Sequence, residues 1–131
     1  LRLTALVAPH FFEHQHINFL LTFDPLNAAQ YRQRYRGRLH FVRNNPRALD
    51  TMQWGVSKAV GIQDILTKAH LTKVPTYAFG DQLNDIEMFR MIQTPIAMGN
   101  GHPQVKQLAR YVTADNMHGG IAQGLQHFDL I

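Results

Sequence analysis

Two aspartates, an amide and a lysine are the residues of this chain whose types and spacing could do chemistry. Gly80-Asp81-Gln82-Leu83-Asn84-Asp85 sets two carboxylates and an amide within five residues, directly after the apolar run Thr76 to Phe79. Carboxylates this close repel each other unless a positive charge lies between them. A hard divalent cation such as Mg²⁺ supplies one, held by one or two carboxylates together with water and substrate phosphate. Read in isolation, the same residues also make an N-capped helix with a solvated acidic turn, because Asn caps helices and an acid suits the helix dipole. The surrounding chain decides between the two.

Thr76 to Phe79 reads as a buried strand that Gly80 breaks, and the spacing of Ile86, Phe89 and Met88, Ile92 predicts a helix after it. Asp81 then falls on the turn at the carboxyl end of the strand, the edge at which open α/β sheets bind ligands. Upstream, Gly55-Val56-Ser57-Lys58 is a turn, and Ile62, Ile65, Leu66 and Ala69 predict a core-facing helix. Downstream, Pro95 to Met98 is a strand, Pro103 opens a helix, Tyr111 to Thr113 is a last strand and Ile121 to Leu125 a last helix. Strands alternating with helices in this way argue an α/β fold, a parallel sheet covered on both faces.

The front of the chain has a different texture. Residues 1–16 fit no clean period. Ile17 to Phe23 is β-prone and ends at Asp24-Pro25, Asn27 can cap a helix reaching Tyr35, and Leu39 to Val42 is a second strand before the turn Asn44-Asn45-Pro46. Asp50 to Trp54 predicts a further strand. The expected division is a small α+β unit over residues 1–49 and an α/β unit over 50–131.

Charge follows the same division. Residues 1–49 hold seven arginines against Glu13 and Asp24, a balance of +5, whereas residues 50–131 balance at −1. A nucleic-acid binder would be basic more uniformly, so no nucleic-acid partner is expected. No run of about eighteen apolar residues is present, so no membrane span is expected. Leu1 to Ala8 is too short an apolar stretch for a signal peptide, and the absence of an initiator Met suggests a processed chain or a piece of a longer one. Zero cysteines exclude disulfides and thiolate metal sites and fit a reducing, cytoplasmic compartment.

Four motifs then stand in order: Gly55-Val56-Ser57-Lys58; Gly80 to Met88; Ala97-Met98-Gly99-Asn100-Gly101-His102-Pro103; and Tyr111-Val112-Thr113-Ala114-Asp115-Asn116 with Gly120-Ile121-Ala122. Together they closely resemble the carboxyl-terminal half of the Cof-type phosphatases of the haloacid dehalogenase superfamily. Residues 17–49 resemble the end of that family's cap domain. The resemblance implies a Rossmann-like core with an α/β cap, and Mg²⁺-dependent hydrolysis of small phosphorylated metabolites such as sugar phosphates through an aspartyl-phosphate. It implies roles by position. Lys58 is the lysine that neutralises the phosphoryl group and orients the nucleophile. Asp81 is the metal-ligating aspartate, Asp85 the second acid at the metal, and Asn84 an amide that hydrogen-bonds near the phosphate. These roles fit phosphoryl transfer, which depends on positioning and charge neutralisation.

The family's first motif, a strand ending Asp-x-Asp-Gly-Thr that supplies the nucleophile, does not occur in these residues, nor does its second, a strand-ending Ser or Thr. Asp24 resembles that nucleophile only superficially, since Leu26 stands where a second Asp is needed; it reads as a turn residue. The expectation is an inactive fragment whose partner is the missing amino-terminal half of the same protein. The alternative is a non-catalytic module that binds metal or phosphorylated ligands, or an interaction domain. Other candidates carry less. His10, His14 and His16 have no fourth ligand at zinc-like spacing, and Arg32, Arg34, Arg36 and Arg38 read as a solvated cap helix that could steer anions. Trp54 reads as a packing residue, and Asn100 and His102 as either substrate contacts or helix caps.

Overall fold

The computed structural model describes residue 8 and residues 10–131, so most of the Leu1 to Ala8 stretch lies outside the described residues. A four-residue helix, α1 (Phe11–His14), precedes the short strand β1 (Leu20–Thr22). The antiparallel sheet has the order β1-β3-β2, with β2 (Leu39–Asn45) and β3 (Ala48–Gln53) forming a hairpin and β1 on the other side of β3. The expected turn at Asn44-Asn45-Pro46 sits later. Strand β2 runs on through Asn45 by an irregularity between Arg43 and Asn45, and the turn falls on Pro46 and Arg47. This sheet therefore extends to Gln53, beyond the division expected after residue 49.

Helix α2 (Ala28–Arg34) covers the sheet. Tyr31 and Tyr35, one turn apart, both lie on Phe41, with ring centroids 5.7 and 6.1 Å away. Ala28, Phe41 and Leu49 form the buried core beneath them. Asn27 precedes α2, yet its side chain makes no capping bond. It donates instead to both carboxylate oxygens of Asp24, which also accepts the Tyr31 hydroxyl at 2.7 Å. Asp24 is thus a turn residue with its carboxylate fully engaged, as read from the sequence.

The parallel sheet has the order β4-β5-β6: β4 (Tyr77–Gly80), β5 (Thr94–Ala97) and β6 (Tyr111–Val112). Helix α4 (Ile86–Met91) connects the first pair and α5 (Pro103–Leu108) the second. Met88, Phe89 and Ile92 from the α4 segment, Val105 from α5 and Ala97 form one buried cluster, with Ala78 packed against it. On the other face, α6 (Gly120–His127) comes so close that a Cβ on Gly124 would lie 2.5 Å from the Phe79 ring. The central strand β5 is buried along its whole length. Helices on both faces explain that, and the expected parallel α/β core is what the chain forms.

Helix α3 (Lys58–Lys68) departs from expectation. None of its residues is buried, and Ile65 is 64% exposed, although Ile62 packs on the α4 cluster. Its apolar stripe is real, but the described parallel sheet ends at β4. Much of that stripe has no described element to pack on.

Candidate active site

The sharp exit from β4 builds the site. A Cβ on Gly80 would lie 2.6 Å from the Phe89 ring and 2.9 Å from the Asp85 Cβ, so the chain can fold back on itself here only with glycine. The turn that follows, Leu83–Asp85, is a single 3₁₀ segment. Asp85 closes it: Oδ2 accepts the backbone N–H groups of Asp81 at 2.9 Å and Gln82 at 3.1 Å. The Asp85 N–H in turn donates to the Gln82 carbonyl at 2.9 Å. The Gln82 side chain also accepts the Asp85 N–H, which makes a reciprocal cap on Gln82, and the cap expected at Asn84 is not formed.

The second oxygen of Asp85 faces Lys58. Lys58 Nζ donates to Oδ1 at 2.5 Å, with the carboxylate 4% exposed and the lysine side chain 51%. Ser57 fixes the lysine at the first position of α3 by accepting the Val60 N–H at 3.3 Å. Lys58 and Asp85, 27 residues apart, therefore meet in one place.

Asp81 lies in the same cleft, which Lys58, Gly80, Asp85, Asn100 and Asn116 also line. Among the described residues its carboxylate has no hydrogen bond or ion pair, and it is half-buried. Backbone groups hold Asp81 in place: its carbonyl accepts the His102 N–H at 2.8 Å. His102 is a helix cap, with Nδ1 accepting the Gln104 N–H, and Asn100 Oδ1 ties the loop to the Asn116 N–H at 3.1 Å. A partly desolvated carboxylate with amide oxygens nearby and no thiolate is a donor set that fits Mg²⁺. No group of three or more His, Cys, Asp or Glu side chains placed to hold a metal is found among the described residues. A cation here would need ligands beyond Asp81, from amide or backbone oxygens, water, bound phosphate or residues outside those described.

Asn84 points elsewhere. Its Nδ2 donates to Oδ2 of Asp50 at 3.0 Å, a bond between the turn and strand β3. Asp50 is only 6% exposed and was not singled out as a site residue in the sequence; the signal available was an acid inside the apolar run Ala48-Leu49-Asp50-Thr51-Met52. Asn84, Asp50 and Lys58 border a second cavity between the two sheets. Trp54, expected to pack, is 58% exposed and sits edge-on to His40.

Residues 10–125 match the family model of haloacid dehalogenase-like hydrolases. The chain belongs to that family, and the Cof-type resemblance of its motifs is borne out. An uncharacterized protein of Geobacillus stearothermophilus is 44% identical over 91 residues, covering 70% of this chain and 96% of that one. A putative phosphatase of Bacillus subtilis is 37% identical over 90 residues, 69% of this chain but 35% of the relative. Among solved structures, a sugar phosphatase of HAD subclass IIB superposes with a TM-score of 0.81 at 27% identity, over 95% of this chain and 48% of that one. The chain thus spans about a third of that phosphatase relative and about half of the solved chain.

Proposed function

We propose that this chain is the metal- and lysine-bearing part of a Mg²⁺-dependent, cytoplasmic phosphomonoesterase acting on small phosphorylated metabolites, sugar phosphates among them. One observation carries the reading: the Lys58–Asp85 pair shares its cleft with the unpartnered carboxylate of Asp81, at the carboxyl end of a parallel sheet. Asp81 would ligate the cation directly, and Asp85 would face its water shell. Bound there, Mg²⁺ would neutralise charge on the phosphoryl oxygens.

The protein's own groups do the rest. An ammonium has three donors, and Asp85 takes one of them. The half-exposed Lys58 therefore keeps donors for a phosphoryl oxygen while Asp85 fixes its position. Asp85 also sets the Asp81 backbone, so one carboxylate aligns both charged partners of the phosphate. Asn84, bonded to Asp50, stands on the side where the rest of the substrate would lie. The nucleophile would come from the amino-terminal half of the same protein, beside the free edge of β4.

The test uses the whole reading frame. Its product is expected to release phosphate from p-nitrophenyl phosphate with Mg²⁺ and to stop when EDTA is added, while the 131-residue chain alone releases none. Turnover by the isolated chain would overturn the assignment of the nucleophile. Phosphate binding without turnover by the whole protein would favour a non-catalytic module.

A further inference from the structure

Asp81 is placed through its backbone. Its carboxylate has no hydrogen bond or ion pair among the described residues, so its position follows from how its two peptide groups are held. One brace is Asp85, whose Oδ2 accepts the Asp81 N–H at 2.9 Å. The other is the loop of residues 99–102 between β5 and α5, from which the His102 N–H donates to the Asp81 carbonyl at 2.8 Å.

That loop is wedged between two chain exits. A Cβ on Gly99 would lie 2.8 Å from the Asp115 nitrogen, and one on Gly101 would lie 3.3 Å from the Asp81 Cα. The Gly99 N–H donates to the Ala114 carbonyl at 3.0 Å, and the Gly101 N–H to the Met98 carbonyl at 2.8 Å. The Gly99 carbonyl is left over, since no backbone N–H among the described residues reaches it. Lys106 on α5 reaches back seven residues and donates its ammonium there at 2.5 Å. The lysine is half-buried and makes no ion pair among the described residues. A partly desolvated ammonium is thus given to one backbone carbonyl, and a charged donor makes that bond stronger than a neutral one.

We infer that Lys106 is a positioning residue for Asp81. Its ammonium pins the Gly99 carbonyl and so fixes the loop, and the His102 N–H passes that constraint to the aspartate. The inference rests on the phosphatase reading and adds to it a residue that does not line the cleft. Mg²⁺ demands near-ideal ligand geometry, so a loop that lets Asp81 wander weakens the site without removing a ligand.

The experiment compares the whole protein with Lys106→Met, which keeps an unbranched stem and loses the charged donor. Mn²⁺, an oxygen-seeking ion that can be followed by electron paramagnetic resonance, reports binding without turnover. The variant is expected to bind Mn²⁺ roughly tenfold more weakly and to need roughly tenfold more Mg²⁺ for half-maximal phosphate release. At saturating Mg²⁺, its KM for p-nitrophenyl phosphate is expected to stay within about twofold. In the metal-free protein, amide exchange along residues 99–102 is expected to quicken roughly tenfold. Lys106→Arg restores a cationic donor and is expected to recover Mn²⁺ affinity to within about threefold. Unchanged Mn²⁺ affinity in folded Lys106→Met protein, or Lys106→Arg binding no better than Lys106→Met, would overturn the inference and leave the phosphatase reading standing. If Lys106→Met does not fold, Lys106→Gln, a neutral donor on a shorter stem, carries the same expectation and the same reversal. A whole protein that neither binds Mn²⁺ nor releases phosphate would remove the phosphatase reading, and this inference with it.

Discussion

Asp85 and Asp81 stand four residues apart and are held in opposite ways. The carboxylate of Asp85 replaces its lost water with two backbone amides and an ammonium, which is how a buried charge is kept. Asp85→Ala strands those donors and is expected to cost about 2–4 kcal/mol, read from the urea midpoint of the chain. Asp81→Asn removes no described contact and is expected to shift stability by less than about 0.5 kcal/mol, while abolishing Mg²⁺-dependent phosphate release by the whole protein. A large stability loss in that variant would make Asp81 part of the fold and not of the site. Asp24 is a third case. Hydrogen bonds from Asn27 and then Tyr31 hold its carboxyl below the ordinary aspartate value. A lowered folded value means stability that is present above the unfolded value near about 4 and lost as pH falls through the lower one. Asp24→Asn is expected to flatten the pH dependence of unfolding below about pH 4, checked by denaturation at stepped pH.

The β4–turn–α4 element depends on Gly80, where any side chain must displace Phe89 or Asp85. Gly80→Ala is expected to lower stability by about 1–3 kcal/mol, seen as a drop in melting temperature of the isolated chain. At this scale the sequence was most legible where the signal is local. Short apolar runs ended by glycine or by the turn before Pro103 located β4, β5 and α5, because a buried parallel strand leaves that pattern wherever it sits. The cap expected at Asn84 falls on Gln82 instead, and the partner of Asn84, Asp50, lies 34 residues away, beyond the reach of local capping rules. Helix α3 was misread for another reason. An amphipathic stripe tells which face wants cover and is silent on what provides it, so Ile65 was placed in a core that the described residues do not build. The end of β2 lies later than expected: Asn44-Asn45 favours turns, yet the strand continues through Asn45 across a register shift after Arg43.

For the whole molecule, the exposed stripe of α3 and the open edge of β4 are where the proposed amino-terminal half would pack. Ile65→Lys is expected to change the isolated chain by less than about 0.5 kcal/mol and to destabilise the whole protein by about 2 kcal/mol or more; equal effects on the two would place the missing half elsewhere. No helix among the described residues is long and apolar enough to cross a membrane. The two sheets are themselves joined near the site. Strand β3 carries Asp50 to Asn84, and its chain then reaches Lys58 through Trp54, Gly55, Val56 and Ser57, with Gly55 at φ +81°. The lysine therefore hangs from the sheet that supplies much of the other cavity's wall, and the two sheets cannot drift apart without dragging its ammonium along. Vanadate or phosphate gripping Lys58 is expected to slow hydrogen–deuterium exchange along residues 54–57, and by thermodynamic reciprocity such an anion and a ligand wedged against Met52 in that cavity are expected to tighten each other's binding by one and the same factor.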